Sequence, residues 1–175
     1  MWPVSSWYRW ALSETLASFN RLSRGEAERR LLACCGSRAW ASSVAAGRPY
    51  ASVPALMETA DAESARLKAS DWLEAFEAHP RIGEMGGRSP ASSNREQKGV
   101  MTAREETLAV LAEGNRLYEE RFGHVFLISA AGRSAEDVVA ALRQRIENDP
   151  ATELQVAAEE QRKITRIRLK SMLGS

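Results

Sequence analysis

Phe122-Gly123-His124-Val125-Phe126-Leu127-Ile128-Ser129-Ala130 is the one stretch of this chain that residue propensity reads as a β-strand. Its surroundings read as helix. No second strand offers it a partner, and a lone strand leaves its backbone N–H and C=O groups unpaired. The stretch is therefore expected to form an irregular or helical buried segment. The fold class that follows is all-α, a single multi-helix domain over residues 1–175.

Working outward, Glu105 to Arg121 is the clearest helix, with Leu108, Leu111 and Tyr118 on one side and charges elsewhere. On the other flank, Ser134-Ala135-Glu136-Asp137 opens a helix through Val138, Leu142 and Ile146. Asp149-Pro150 reads as an N-cap with proline at the first helical position, starting a last helix through Leu154, Ala158, Ile164, Ile167 and Met172. In the N-terminal half, Ser13 to Asn20 reads as a short helix, with Leu12, Leu16 and Phe19 at helical spacing. Ser23-Arg24-Gly25-Glu26 forms a capping box for a second helix through Leu31, Leu32 and Cys35. A third carries Trp40 and Val44 and breaks at Gly47-Arg48-Pro49-Tyr50. Val53 to Phe76 is rich in good helix formers, and its apolar residues fall into two groups, predicting two helices or one bent helix. Ser93-Asn94-Arg95-Glu96 and Thr102-Ala103-Arg104-Glu105 offer two further capping boxes.

With 175 residues the chain is long enough to bury a core without staples. Its 24 basic and 23 acidic residues leave a formal charge of +1, which predicts no bulk attraction to nucleic acid or to a membrane surface. No apolar run reaches the length of a membrane span, and the N-terminus, with Trp2, Trp7 and Trp10, lacks the pattern of a signal peptide. A cytoplasmic protein is expected. The only cysteines, Cys34 and Cys35, are adjacent and offer no zinc spacing; they read as small buried residues on a helix rather than as a reactive pair. Phosphate-cradling loops, His-Glu-x-x-His and Gly-x-Ser-x-Gly are all absent, which predicts chemistry with no metal and no organic cofactor.

One of the two histidines, His79, stands directly before Pro80 in Phe76-Glu77-Ala78-His79-Pro80-Arg81-Ile82-Gly83. The proline pushes it out of the α region, so it lies where a helix breaks. An imidazole there suits acid–base chemistry, or caps the last helical carbonyls. Glu96 is open in the same way, since it fits the third helical position of a capping box. The basic run Arg162 to Lys170 reads as a solvated helix face from which one arginine could turn inward to grip an anion. His124 reads as a packing or partner-contact residue.

These elements together resemble the family of 2-oxo-4-hydroxy-4-carboxy-5-ureidoimidazoline (OHCU) decarboxylases. The resemblance runs through Phe19-Asn20-x-Leu22-Ser23, Ala33-Cys34-Cys35-Gly36-Ser37-Arg38-x-Trp40-Ala41 and Arg48-Pro49-Tyr50. It continues in Asp71-Trp72-Leu73-x-Ala75-Phe76, His79-Pro80-Arg81-Ile82-Gly83, Ser93-x-x-Glu96-Gln97 and Asn115-x-x-Tyr118. Arg121-Phe122-Gly123-x-x-Phe126 and Lys163-Ile164-x-x-Ile167-Arg168-Leu169 complete it.

The resemblance implies an all-helical, cofactor-free homodimer that converts OHCU to (S)-allantoin, the last step from urate. It makes His79 the catalytic histidine, poised near neutral pH to protonate the carbon that loses carbon dioxide, and Pro80 the residue that places it. It gives Glu96 the task of orienting the substrate or the imidazole, and Arg168, rather than Arg166, that of pairing with substrate charge. Ser93 and Gln97 bind the substrate's polar edge, and Phe126, Leu127, Ile128, Ser129 and Ala130 line the pocket with backbone groups. Specificity differences are expected in Glu84 to Ala91. Some relatives carry a C-terminal peroxisomal tripeptide, which Leu173-Gly174-Ser175 does not match. Two other readings remain, a non-catalytic helical interaction module docking through the basic last helix and the three N-terminal tryptophans, and a decarboxylase of a related ureido or hydantoin acid.

Overall fold

The structure is a computed structural model that describes residues 15–82 and 105–174. Within them the chain forms helices α1 (Leu16–Arg21), α2 (Arg24–Cys34), α3 (Arg38–Ala46), α4 (Val53–Ala65) and α5 (Ala69–Glu77). After the intervening segment come α6 (Glu105–Phe122), α7 (Ala135–Arg145) and α8 (Pro150–Leu173). The described residues contain no strand.

Local capping sets most helix starts. Ser23 Oγ accepts from the Glu26 N–H while the Glu26 carboxylate accepts from the Ser23 N–H, so the expected box forms in full. Ser134 and Asp137 do the same at α7, and Asp149 takes the Ala151 and Thr152 N–H groups at α8. Such caps each contribute about 1 kcal/mol. Val53 to Phe76 resolves into two helices. At the start of α5 the Asp71 carboxylate accepts from the Lys68 N–H, but lysine has no acceptor to complete a box. The Ser93 and Thr102 boxes fall on residues outside those described.

The helices enclose two apolar clusters. One joins Phe19, Leu31, Trp40, Val44, Leu56 and Phe76 to Ile164, Leu169 and Leu173 of α8. The other joins Ile82 and the inner faces of α6 and α7, with Leu111, Tyr118, Val138 and Leu142. The stretch after α6 is the wall between them. Leu127 belongs to the first cluster, whereas Phe126, Ile128 and Ala130 belong to the second. That alternation is the two-residue period of extended backbone, so a strand-like sequence is correct about conformation. Its backbone groups are met by side chains instead of a neighbouring strand: Arg145 donates to the Leu127 carbonyl at 2.6 Å, and the Ser129 N–H donates to Glu160 at 2.7 Å.

Some expected positions shift. Ile167 is 39% exposed, because the inner face of α8 runs through Ile164, Thr165, Arg168 and Leu169. Leu73 is also exposed. Both cysteines are buried, yet only Cys34 is helical; Cys35 is the extended residue that closes α2.

Candidate active site

His79 is held from both sides in sequence. Helix α5 ends at Glu77, and the backbone N–H groups of Ala78 and His79 bond the carbonyls of Ala75 and Phe76 before Pro80 stops the turn. Glycine at 36 lets the loop after α2 lie against that last turn. A Cβ there would come within 2.5 Å of the Ala78 Cβ and 3.2 Å of the Ala75 carbonyl. Beyond the histidine, α6 grips the chain. Arg81 makes a two-pronged pair with Glu119 at 2.6 and 2.9 Å, and Asn115 donates to the Ile82 carbonyl at 3.0 Å. The Asn115-x-x-Tyr118 spacing thereby gains a cause, since Asn115 holds the histidine loop while Tyr118, one turn on, holds the core.

Against His79 stands the inner face of α8, with Gln161 fully buried and Arg168 6% exposed. The Nε2 atom of His79 is buried and has no hydrogen-bond partner among the described residues. Burial, and then the positive charge of Arg168, pull the His79 pKa from 6.5 down to about 3, with Gln161 opposing the shift. At neutral pH this imidazole is uncharged. The ring is therefore uncharged here rather than poised near neutrality as expected. Nor does the ring cap the helix, a job done by main-chain N–H groups. Burial likewise pushes the neighbouring Cys35 thiol up, out of the reactive range.

The choice between the two arginines is geometric. Arg166 is exposed and pairs with Asp61 at 2.6 Å, whereas Arg168 turns inward beside His79. Pro80 is partly buried next to the histidine. Phe126, Leu127, Ile128 and Ala130 are buried, and Ser129 is partly so. Their segment passes from His124, whose ring lies 5.1 Å from that of Phe76, to Glu160 on α8. His124 is a packing residue, with Tyr118 as a second ring neighbour at 5.5 Å. Because Leu127 and Ser129 turn backbone groups toward Arg145 and Glu160, the intervening Ile128 N–H and C=O face the opposite edge. Ser93, Glu96 and Gln97, the segment Glu84 to Ala91, and Trp2, Trp7 and Trp10 lie outside the described residues.

Several residues of this region escaped the sequence reading. Arg145, Glu153, Glu160, Gln161 and Thr165 are all buried polar groups. A signal for those on α8 exists, because Glu153, Gln161, Thr165 and Arg168 share the helical face of Ala157, Ile164 and Leu169. Polar residues in an apolar stripe mark a site or a buried network.

A family model described as OHCU decarboxylase matches residues 20–170. The chain belongs to the OHCU decarboxylase family. It is 36% identical over 147 residues to the uric acid degradation bifunctional protein of Arabidopsis thaliana, covering 81% of this chain and 45% of that protein. It is 29% identical over 141 residues to the 2-oxo-4-hydroxy-4-carboxy-5-ureidoimidazoline decarboxylase of Amia calva, covering 76% of this chain and 79% of that one. A crystal structure of an OHCU decarboxylase in the presence of (S)-allantoin superposes with a TM-score of 0.72 at 36% identity, over 82% of this chain and 96% of that chain. The chain thus spans less than half the length of the Arabidopsis relative. As in that OHCU decarboxylase structure, the architecture is all-helical in the described residues.

Proposed function

We propose that this chain decarboxylates OHCU to (S)-allantoin, with His79 moving the proton and Arg168 holding the negative charge. The observation that carries the reading is the neutral imidazole of His79 set beside a buried arginine, in a chain of the OHCU decarboxylase family. By its name the substrate carries hydroxyl and carboxylate on one ring carbon and the ureido group on the next. Loss of carbon dioxide sends the bonding pair into the bond between those carbons, and the ring imine electrons onto nitrogen, which takes a proton from solvent. The resulting enol must lose its hydroxyl proton and gain one on the ureido-bearing carbon, and not, as expected from the resemblance, on the carbon that lost carbon dioxide, which becomes the carbonyl. A neutral imidazole can accept the first and return it to the second, on one face only. The incoming carboxylate adds negative charge beside His79 and so raises its pKa toward the range that transfer needs.

Arg168 supplies charge pairing through a planar fork, and the Ile128 backbone edge offers a donor and an acceptor to a cyclic amide. Ser93, Glu96 and Gln97 complete the pocket in this reading, Pro80 places the histidine, and no cofactor takes part. A homodimer and a cytoplasmic location belong to the same proposal; no helix in the described residues is long and apolar enough to cross a membrane.

The test generates OHCU in situ from urate and follows the chirality of the product by circular dichroism. Rapid (S)-allantoin formation is expected from the wild type, and a loss of roughly 10²- to 10⁴-fold in His79→Gln. Slow racemic product from the folded wild type would overturn the assignment.

A further inference from the structure

Among the described residues three buried side-chain atoms lack hydrogen-bond partners, and two of them, His79 Nε2 and Gln161 Oε1, belong to side chains close enough for Gln161 to act on the His79 pKa; the third is Asn115 Oδ1. A buried polar atom left without a partner costs stability, so the first two ask for a cause. Their chemistry is complementary. A neutral imidazole carries one N–H, and an amide oxygen can only accept.

The Gln161 amide is fixed at its other end. Its Nε2 donates to Thr165 Oγ1 at 3.1 Å, and that hydroxyl donates to the Cys34 carbonyl at 3.4 Å. Cys34 ends α2, two residues before the glycine that lies against the last turn of α5. With its N–H₂ group directed at Thr165, the buried atom of the glutamine left without a partner is its oxygen. Were the amide reversed, its oxygen would face Thr165 and would need the hydroxyl proton already given to the Cys34 carbonyl.

We propose that Gln161, anchored through Thr165 to the Cys34 carbonyl, is a positioning residue that accepts the Nε2–H of His79 and so selects the tautomer whose Nδ1 carries the lone pair. This deepens the decarboxylase reading and rests on it for its kinetic consequence, though the tautomer is measurable without any substrate. The same contact explains why Gln161 opposes the depression of the His79 pKa: an acceptor at Nε2 stabilises the imidazolium while the proton is in transit. Arg168 has the opposite influence, so the pair brackets the basicity of the ring.

The experiment is ¹⁵N NMR of the full chain labelled at histidine. The chain has two histidines, so His79→Gln assigns the signals. The wild type is expected to show His79 as the Nε2–H tautomer. In Gln161→Leu the tautomers mix, and kcat falls roughly 10²-fold with KM within a few-fold of wild type. Thr165→Val reproduces the effect without touching the ring's neighbour, and Thr165→Ser, which keeps the hydroxyl, restores both readouts. An unchanged tautomer in folded Gln161→Leu or Thr165→Val overturns the proposal. If KM rises instead while the tautomer stays, Gln161 contacts the ligand and not the histidine. Should the wild type lack activity on OHCU while the tautomer responds as expected, the decarboxylase reading fails and the positioning role stands.

Discussion

Two buried polar clusters lie along α8, and they differ in how completely their hydrogen bonds are made. Near its start, Glu153 is fully buried and receives the Tyr118 hydroxyl, Arg145 through Nε at 2.9 Å and through its terminal nitrogen at 2.5 Å, and Asn148 at 2.8 Å. Arg145 also donates to the Leu127 carbonyl and lies over the Phe126 ring, 4.6 Å from its centroid. Two turns on, His79 and Gln161 each keep a buried atom that meets no established partner among the described residues, and Arg168 acts on the same ring. A saturated cluster has nothing left to offer a ligand and serves to fix the extended segment between the two cores. The second cluster, joined only by the contact proposed above, costs stability, and is tolerable where a reaction uses it.

The largest expected effect strikes the saturated cluster. Glu153→Ala leaves the Arg145 charge and the Tyr118 hydroxyl buried without their acceptor, at a cost of roughly 3–5 kcal/mol. Thermal unfolding followed by circular dichroism should then fall by about 10 °C or more. A shift of only a degree or two would erase the distinction, since it would mean that the network contributes no more than the site does.

Acid should act next, and on the other cluster. The His79 pKa is depressed in the folded chain to about 3 from 6.5, so in that window the unfolded state binds the proton and the folded state does not. Stability attributable to this group is present above pH 6.5 and is lost as pH falls toward 3. Between pH 7 and pH 4 the loss is roughly 3 kcal/mol, and it should be absent from His79→Gln in parallel urea titrations. Equal acid sensitivity in the two proteins would show that the histidine is not buried as a neutral base.

The smallest effect separates the two arginines. Arg166→Ala removes an exposed pair with Asp61 and should change stability by less than about 1 kcal/mol, with turnover of OHCU unaltered. Arg168→Ala should lose turnover. The reverse outcome would mean that the outer arginine reaches the substrate.

Much of the fold was legible in particular residues. Ser23 with Glu26, Ser134 with Asp137, and Asp149 with Pro150 announced three helix starts, because caps are contacts within one turn. Pro80 announced the end of α5 for the same local reason. The extended wall at 125–130 was half legible. Its lack of a partner strand ruled out a sheet, but the side chains that take over, Arg145 and Glu160, come from helices that meet it only in the folded chain. Ile167 was placed in the core by average periodicity, whereas the actual face of α8 was decided by what packs against it.

The sequence alone determined the helical class, the break at His79 and a basic last helix from which one arginine could turn in. These depend on backbone sterics, caps and charge spacing, all local quantities. The tertiary structure decided that Arg168 is the inward one, that His79 is uncharged, and that Gln161 and Thr165 are buried on the same face of α8. Desolvation and long-range charge set those outcomes, and they exist only once α5, α8 and the end of α2 are brought into contact.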